Sequence, residues 1–229
     1  MAATRTMAEA AIALTRADCA VSVYMTAISD VVISRNRLAS KALTGGFTHV
    51  LFIDSDMSFS AEITVAMLKA DKDVVGLIYT RRELDVPALI ELSRAEPELS
   101  ADQLLAKAQS YIVRLTNSSS FTGGFGLVDG LGMGGALIKT SVLKTMVDRD
   151  EARPRHERAT AQNPGPVWGF FDLMTEPDGL QLSEDYSFCA RWRKLGGEVW
   201  GFAVPGVQHV GDFSYSGDFI AAKGTKVSD

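Results

Sequence analysis

Residues 50–56 read VLFIDSD, an apolar run that leads straight into two aspartates separated by one serine. Carboxylates at the exit of a buried strand can hold a hard divalent cation such as Mn²⁺ or Mg²⁺, which favours carboxylate and water ligands and often bridges to phosphates. We expect Asp54 and Asp56 to point apart rather than to chelate one ion as a symmetric pair, one reaching the metal and the other orienting a substrate hydroxyl. The same residues also suit a turn or a cap ahead of Ser60. The spacing alone does not separate the two readings.

A second stretch, LSEDYSFCARWRKLGGEVW at 182–200, places Glu184 and Asp185 in the first turn of a helix. The positive end of the helix dipole favours ionised carboxylates there, and ionised is the state a general base needs. An acidic first turn is equally an ordinary dipole-stabilising device. Further on, GVQHVGDFSYSGD at 206–218 offers His209 between glycines that permit close approach. A single histidine in such a setting also reads as structural or solvated.

These groups need a scaffold, and the chain alternates short apolar runs with helical patterns, the mark of an α/β sheet. Strands are predicted near 20–25, 49–53, 74–79, 111–115, 125–129, 135–138, 168–173 and 198–203. A helix is predicted at 5–16. Ser60 can cap a helix whose Ile63, Ala66, Met67 and Ala70 share a face, and Ser100 with Gln103 matches a capping box. A further helix runs from Glu184 to about Leu195, where Gly196 and Gly197 stop it. In an open α/β sheet, ligands bind beyond the carboxyl ends of the strands, and Asp54 and Asp56 stand at such an end. The polar stretches 116–124 and 148–166 are predicted to be surface loops of the kind that rim a site.

Composition narrows the partners. The 229 residues are 46% hydrophobic and carry a net charge of −5, which fits one domain with a substantial core. The basic residues are scattered, so there is no nucleic-acid footprint. No run reaches the 18 apolar residues of a membrane span, and no signal-peptide layout is visible. Cys19 and Cys189 are too few and too far apart to form a framework, which predicts reduced thiols and a cytoplasmic setting.

Taken in order, V-L-F-I-D-S-D-M, then S-E-D-Y-S-F-C-A-R-W-R-K-L-G-G, then V-Q-H-V-G resemble the GT-A fold glycosyltransferases, specifically the family-2-like inverting enzymes and their small bacterial and phage relatives. The resemblance spans roughly residues 30–218. It implies a single GT-A-like α/β domain with a mixed, mostly parallel central sheet flanked by helices. It also implies transfer of a sugar from a nucleotide-diphosphate donor, a UDP- or GDP-sugar, to a hydroxyl of a glycan, protein or other acceptor. Asp54-Ser55-Asp56 matches the D-x-D motif, in which Asp56 would hold Mn²⁺ or Mg²⁺ under the diphosphate and Asp54 would lie near the donor ribose or sugar. Asp185, with Glu184 beside it, would deprotonate the acceptor, and His209 would join the metal. ISRNRLASKAL (33–43) resembles the helix that carries Arg35, Asn36 and Arg37 towards the nucleotide. GLGMGGALIKTSVL (130–143) resembles the glycine-rich strand entry, with Gly134 and Gly135 admitting close backbone approach.

The chain departs from that family at its start, where MAATRTMAEAAIALTRADCAVSVYM reads as helix then strand and the usual first strand of the nucleotide-base pocket is missing. Two other classes share parts of the pattern. A sugar-nucleotide nucleotidyltransferase would carry a basic glycine-rich loop near its start, which this chain lacks. An inactive sugar- or nucleotide-binding protein of the same fold would lose the metal set, whereas Asp54, Asp56, Asp185 and His209 are all present.

Overall fold

The computed structural model describes residues 2–155, 165–211 and 214–223. The chain opens with α1 (Ala2–Arg16), crosses an irregular stretch, and enters α2 (Val31–Thr44) at Asp30, whose carboxylate accepts from the Ile33 amide at 3.0 Å. β1 (His49–Ile53) and the short β2 (Met57–Ser58) flank the two aspartates, followed by α3 (Ala61–Lys69) and β3 (Val74–Leu77). Next come α4 (Val86–Ala95) and α5 (Ala101–Ala108), the latter opened by the full Ser100–Gln103 capping box. The rest is β4 (Val113–Leu115), β5 (Phe121–Thr122), β6 (Phe125–Leu131), β7 (Gly135–Lys139), α6 (Thr140–Asp148), β8 (Pro154–Arg155), β9 (Val167–Trp168), α7 (Glu184–Lys194), β10 (Val199–Phe202), β11 (Gln208–Val210), β12 (Ser214–Ser216) and α8 (Phe219–Lys223).

The main sheet has the order β1-β7-β3-β10-β6-β4, with β5 pairing β6. Among the described residues only β3 and β10 pair in parallel; β1–β7, β3–β7, β10–β6, β4–β6 and β5–β6 are antiparallel. The fold is therefore mixed α/β, and the mixed, mostly parallel sheet that the resemblance implied is corrected to a mixed, mostly antiparallel one. An apolar run of four or five residues records burial but not direction. Here β7 enters antiparallel between β1 and β3, and no local pattern announces that.

Period-two alternation divides the sheet between two cores. On one face Phe52, Val74, Ile78, Ala136 and Ile138 join Val142, Leu143 and Met146 of α6, Phe188, Cys189 and Trp192 of α7, and Ala39 of α2. On the other, Val75, Leu77, Tyr79 and Leu137 meet Met57, Phe59, and Ile63 and Met67 of α3. Gly76 is required by packing, since a Cβ there would lie 2.5 Å from a Leu131 methyl.

Two strand expectations fail for physical reasons. Residues 17–30 form no strand, and Val23, Tyr24, Met25 and Ile28 stay largely exposed, because β propensity without a neighbouring ladder leaves the backbone unpaired. The run 168–173 is a strand only at its first residue: Phe170 and Phe171 are consecutive and both fully buried, which a turn allows and a strand with one buried face forbids. Of the predicted loop 148–166, residues 156–164 lie outside the described residues. Cys19 and Cys189 are both free thiols, and burial pushes Cys189 up to about 12, so it stays a neutral core residue. Among the described residues no helix is long and apolar enough to cross a membrane.

Candidate functional site

β1 ends at Ile53, and the backbone turns at Ser55–Asp56, with the Met57 amide donating to the Asp54 carbonyl at 3.1 Å. This turn is why the two carboxylates find different partners. In an unbroken strand residues i and i+2 would share a face.

Asp54 joins a cluster centred on Arg35. That side chain comes from α2, and only 4% of the residue is exposed. One terminal nitrogen donates to both Asp54 oxygens, at 2.9 and 3.2 Å, and the other donates to Glu184 at 2.8 Å and to Asp185. Glu184 and Asp185 reach it from the first turn of α7, whose dipole favours their negative charge. One guanidinium faces three carboxylates, so the cluster keeps a surplus of negative charge. Its floor is apolar: the Arg35 guanidinium lies 5.9 Å from the centre of the Phe171 ring, which stacks on Phe188 at 4.8 Å and meets Phe52 edge-on at 5.5 Å. Such surroundings strengthen the ion pairs and raise the cost of breaking them.

Asp56 belongs to a second cluster. Its Oδ2 lies 3.2 Å from His209 Nε2 and 3.3 Å from an Arg82 terminal nitrogen. β11 carries His209 alongside β2, with His209 opposite Met57, and the Val210 amide donates to the Asp56 carbonyl at 2.7 Å. His209 Nδ1 lies 2.9 Å from the Thr80 carbonyl. Both ring partners are acceptors, and a cation seated against Asp56 would take the Nε2 lone pair while Nδ1–H donates to the Thr80 carbonyl. Tyr79 packs its ring edge-on to His209 at 5.3 Å, and its hydroxyl accepts from the Gly134 amide at 3.1 Å. Burial, and then the charge of Asp54, push the Tyr79 phenol well above its ordinary range, so it stays protonated.

The remaining sequence candidates fall in different places. Asn36 is fully buried and occupied at both ends: its Oδ1 accepts from the Phe171 amide at 2.7 Å and its Nδ2 donates to Asp172 at 2.8 Å. It therefore braces the 170–172 turn under Arg35 rather than facing a ligand, and Arg191 clamps the same turn by donating to the Asp172 carbonyl at 2.5 Å. Arg37 is half-buried on α2, and Ser55 is exposed at the turn between the aspartates. Gly134 and Gly135 are buried, and their need for glycine is internal. A Cβ on Gly134 would meet the Tyr79 hydroxyl at 2.7 Å, and one on Gly135 a Leu77 methyl at the same distance. Asp30 caps α2.

Sequence reasoning passed over Tyr79, Thr80, Arg81 and Arg82. The available signal was position alone: the four residues YTRR directly follow an apolar run, at the carboxyl end of β3, on the same edge of the sheet as that of β1 and separated from it by β7.

A divalent cation fits the second cluster by donor chemistry, with one carboxylate oxygen and one imidazole nitrogen already adjacent. Among the described residues no group of three or more His, Cys, Asp or Glu side chains is gathered as a protein-only cage would need. An ion held here must complete its shell with ligand oxygens and water.

No protein-family model matches the chain, and no curated protein matches it. Among solved structures the chain is similar to A197 from STIV, at 16% identity and a TM-score of 0.46, over 92% of this chain and 84% of that one.

Proposed function

We propose that the chain is a metal-dependent GT-A-like glycosyltransferase that moves a sugar from a nucleotide-diphosphate donor to an acceptor hydroxyl with inversion. The observation that carries this reading is the parting of Asp54 and Asp56 at one strand end into two clusters of different chemistry, one rich in carboxylates and one holding Asp56 against His209.

Asp56 and His209 would hold the divalent ion, Mn²⁺ or Mg²⁺. When bound, such an ion neutralises charge on the diphosphate oxygens as the bond to the sugar breaks. Asp185 takes the acceptor proton, with Glu184 as the alternative base one residue away. Inversion in a single displacement needs the base on the face of the sugar opposite the leaving group, so this reading assigns the base to the Arg35 cluster and the leaving diphosphate to the Asp56 cluster. Arg35 orients Asp54, Glu184 and Asp185 together, so the base and the donor-side carboxylate share one buried anchor. Gly134 is tied on both sides, its amide donating to the Tyr79 hydroxyl and its carbonyl accepting from the Asp54 amide, which holds the backbone at Asp54.

A second reading has its own observation. Asp54, Asp56, Glu184 and Asp185 each have a cationic or imidazole partner within the chain, which also suits a nucleotide- or sugar-binding protein without transfer. A melting-temperature panel of nucleoside diphosphates with and without Mn²⁺, followed by an assay for sugar release from UDP- and GDP-sugars, separates the two. Transferase activity predicts Mn²⁺-dependent stabilisation and turnover lost in Asp185→Asn. Stabilisation with no turnover on any donor supports the binding protein. No stabilisation and no turnover overturns both.

A further inference from the structure

A cavity of about 550 Å³ lies between the segment after β3 and the β11–β12 hairpin, lined by Arg81, Arg82, Glu83, Ile112, His209, Gly211 and Tyr215. Its volume is that of a small-molecule site. Two of its walls, Arg82 and His209, are the two groups that share Asp56 Oδ2, so the cavity opens on the second cluster. Its other cation, Arg81, is exposed and fixed at the backbone, where its amide donates to the Ser110 carbonyl at 2.8 Å. The walls carry two guanidiniums and the Glu83 carboxylate, and the Asp56 carboxylate against Arg82 is the second anion at the cavity's edge. Directly before the two arginines, buried Thr80 turns its carbonyl to His209 Nδ1 at 2.9 Å, which holds the histidine wall of the cavity in place.

We infer that this cavity binds the phosphate-bearing part of a small-molecule ligand through Arg81 and Arg82, and that it does so without a metal ion. Adjacent guanidiniums present several N–H donors in planar forks that match phosphate oxygens, and a doubly charged tetrahedral anion can bridge both where one carboxylate satisfies only one. The inference also gives Arg82 a second state. Its side chain, 52% exposed, pairs with Asp56 at 3.3 Å. A phosphate group in the cavity competes for that guanidinium and draws it off Asp56, which then offers its oxygen elsewhere. This deepens the transferase reading by giving the phosphate end of the donor its own protein contacts, and it rests on that reading only for the name of the ligand.

The test is calorimetric titration of the full chain with inorganic pyrophosphate in buffer containing EDTA. Saturable binding is expected, weakened about tenfold or more by Arg81→Ala and by Arg82→Ala, each checked for an unchanged circular dichroism spectrum. Lys144→Ala, which removes the same charge from α6 beyond the opposite end of β7, should leave the affinity within about twofold. Failure of the wild type to bind pyrophosphate without metal overturns the inference, as does equal weakening by Lys144→Ala. If pyrophosphate binds only with Mn²⁺ while sugar transfer proceeds, the cavity inference falls and the transferase reading stands. If binding follows the arginines in EDTA while no donor is turned over, the cavity stands and the transferase reading falls.

Discussion

Arg35 and Asp56 organise their surroundings in opposite ways. Arg35 is a buried cation that gathers three carboxylates over an aromatic floor, whereas Asp56 is a partly open anion whose single oxygen is shared by a half-buried histidine and an exposed arginine. The first arrangement is stiff. Its partners come from α2, the exit of β1 and the start of α7, and the Phe170–Asp172 turn beneath it is braced by Asn36 and Arg191. The second is adjustable, since Arg82 stands in the exposed segment 81–87 and can leave without uncovering any core. A buried ion cluster resists rearrangement because unpaired charge is costly there, while an exposed pair contributes little and exchanges freely. The comparison teaches that one half of the site is built to hold side chains still and the other to change partners.

The largest effect is expected at Asp185, where chemistry and architecture meet. Asp185→Asn keeps the shape but removes the basicity, so turnover should fall by about 10²–10⁴-fold while nucleotide-diphosphate affinity stays near the wild type. Steady-state kinetics beside a binding titration measures the split. A collapse of donor binding would move Asp185 to the donor side and make Glu184 the base.

The stiffness of the first cluster can be challenged directly. Arg35→Ala leaves three carboxylates without their cation in a half-buried site, and we expect a loss of about 3 kcal/mol in urea unfolding. Arg82→Ala should cost no more than about 1 kcal/mol. Equal losses would erase the distinction between the clusters. Should Arg35→Ala fail to fold, Arg35→Lys provides the measurable intermediate, because it keeps the charge but loses the fork that reaches both sides.

Metal binding probes the second cluster. Asp56→Ala should weaken Mn²⁺ binding beyond measurement in the presence of a nucleoside diphosphate, and His209→Ala should weaken it by about 10-fold, within the range for a lost auxiliary partner of a metal site. Measured without nucleotide, where only the Arg82–Asp56 pair competes, Arg82→Ala should strengthen Mn²⁺ binding by up to about fivefold, the equivalent of removing an exposed pair of about 1 kcal/mol. Mn²⁺ affinity unaltered in all three would detach the metal from this cluster.

The smallest effect is a control on acid titrations. Burial, and next the neighbouring Lys139 charge, depress His49 below the ordinary histidine range. The unfolded chain therefore takes up a proton that the folded chain resists, and stability falls as pH drops through about 6.5. His49→Gln should flatten that part of the melting-temperature profile slightly. Because His49 stands at the start of β1 and Asp56 beyond its end, the change should leave Mn²⁺ affinity untouched. An acid-side profile left unchanged by His49→Gln would show that His49 is not a source of the loss.

Much of this architecture was legible in local pattern. The apolar run 50–53 ending in Asp54 and Asp56, the Ser100–Gln103 capping box, and the α7 segment with acids in its first turn and glycines at its end all announce themselves within a few residues, because capping, helix dipole and strand burial are short-range effects. So does the candidate list: Arg35, Asp54, Asp56, Glu184, Asp185 and His209 were all visible as residues whose chemistry could matter. Their grouping was not. Arg35 meets Asp185 across 150 positions and Asp56 meets His209 across 153, and such pairings follow from how α2, α7 and β11 return to the end of β1. The turn at Ser55–Asp56, the antiparallel insertion of β7, and the failure of residues 20–25 to find a strand partner belong to the same class. Strand direction, neighbour order and the pairing of remote charges depend on the packing of whole elements against two cores, which no window of the sequence contains. Residue chemistry and local element starts were determined by the amino-acid order alone, and only the tertiary structure decided which carboxylate received a buried cation and which was left free to change partners.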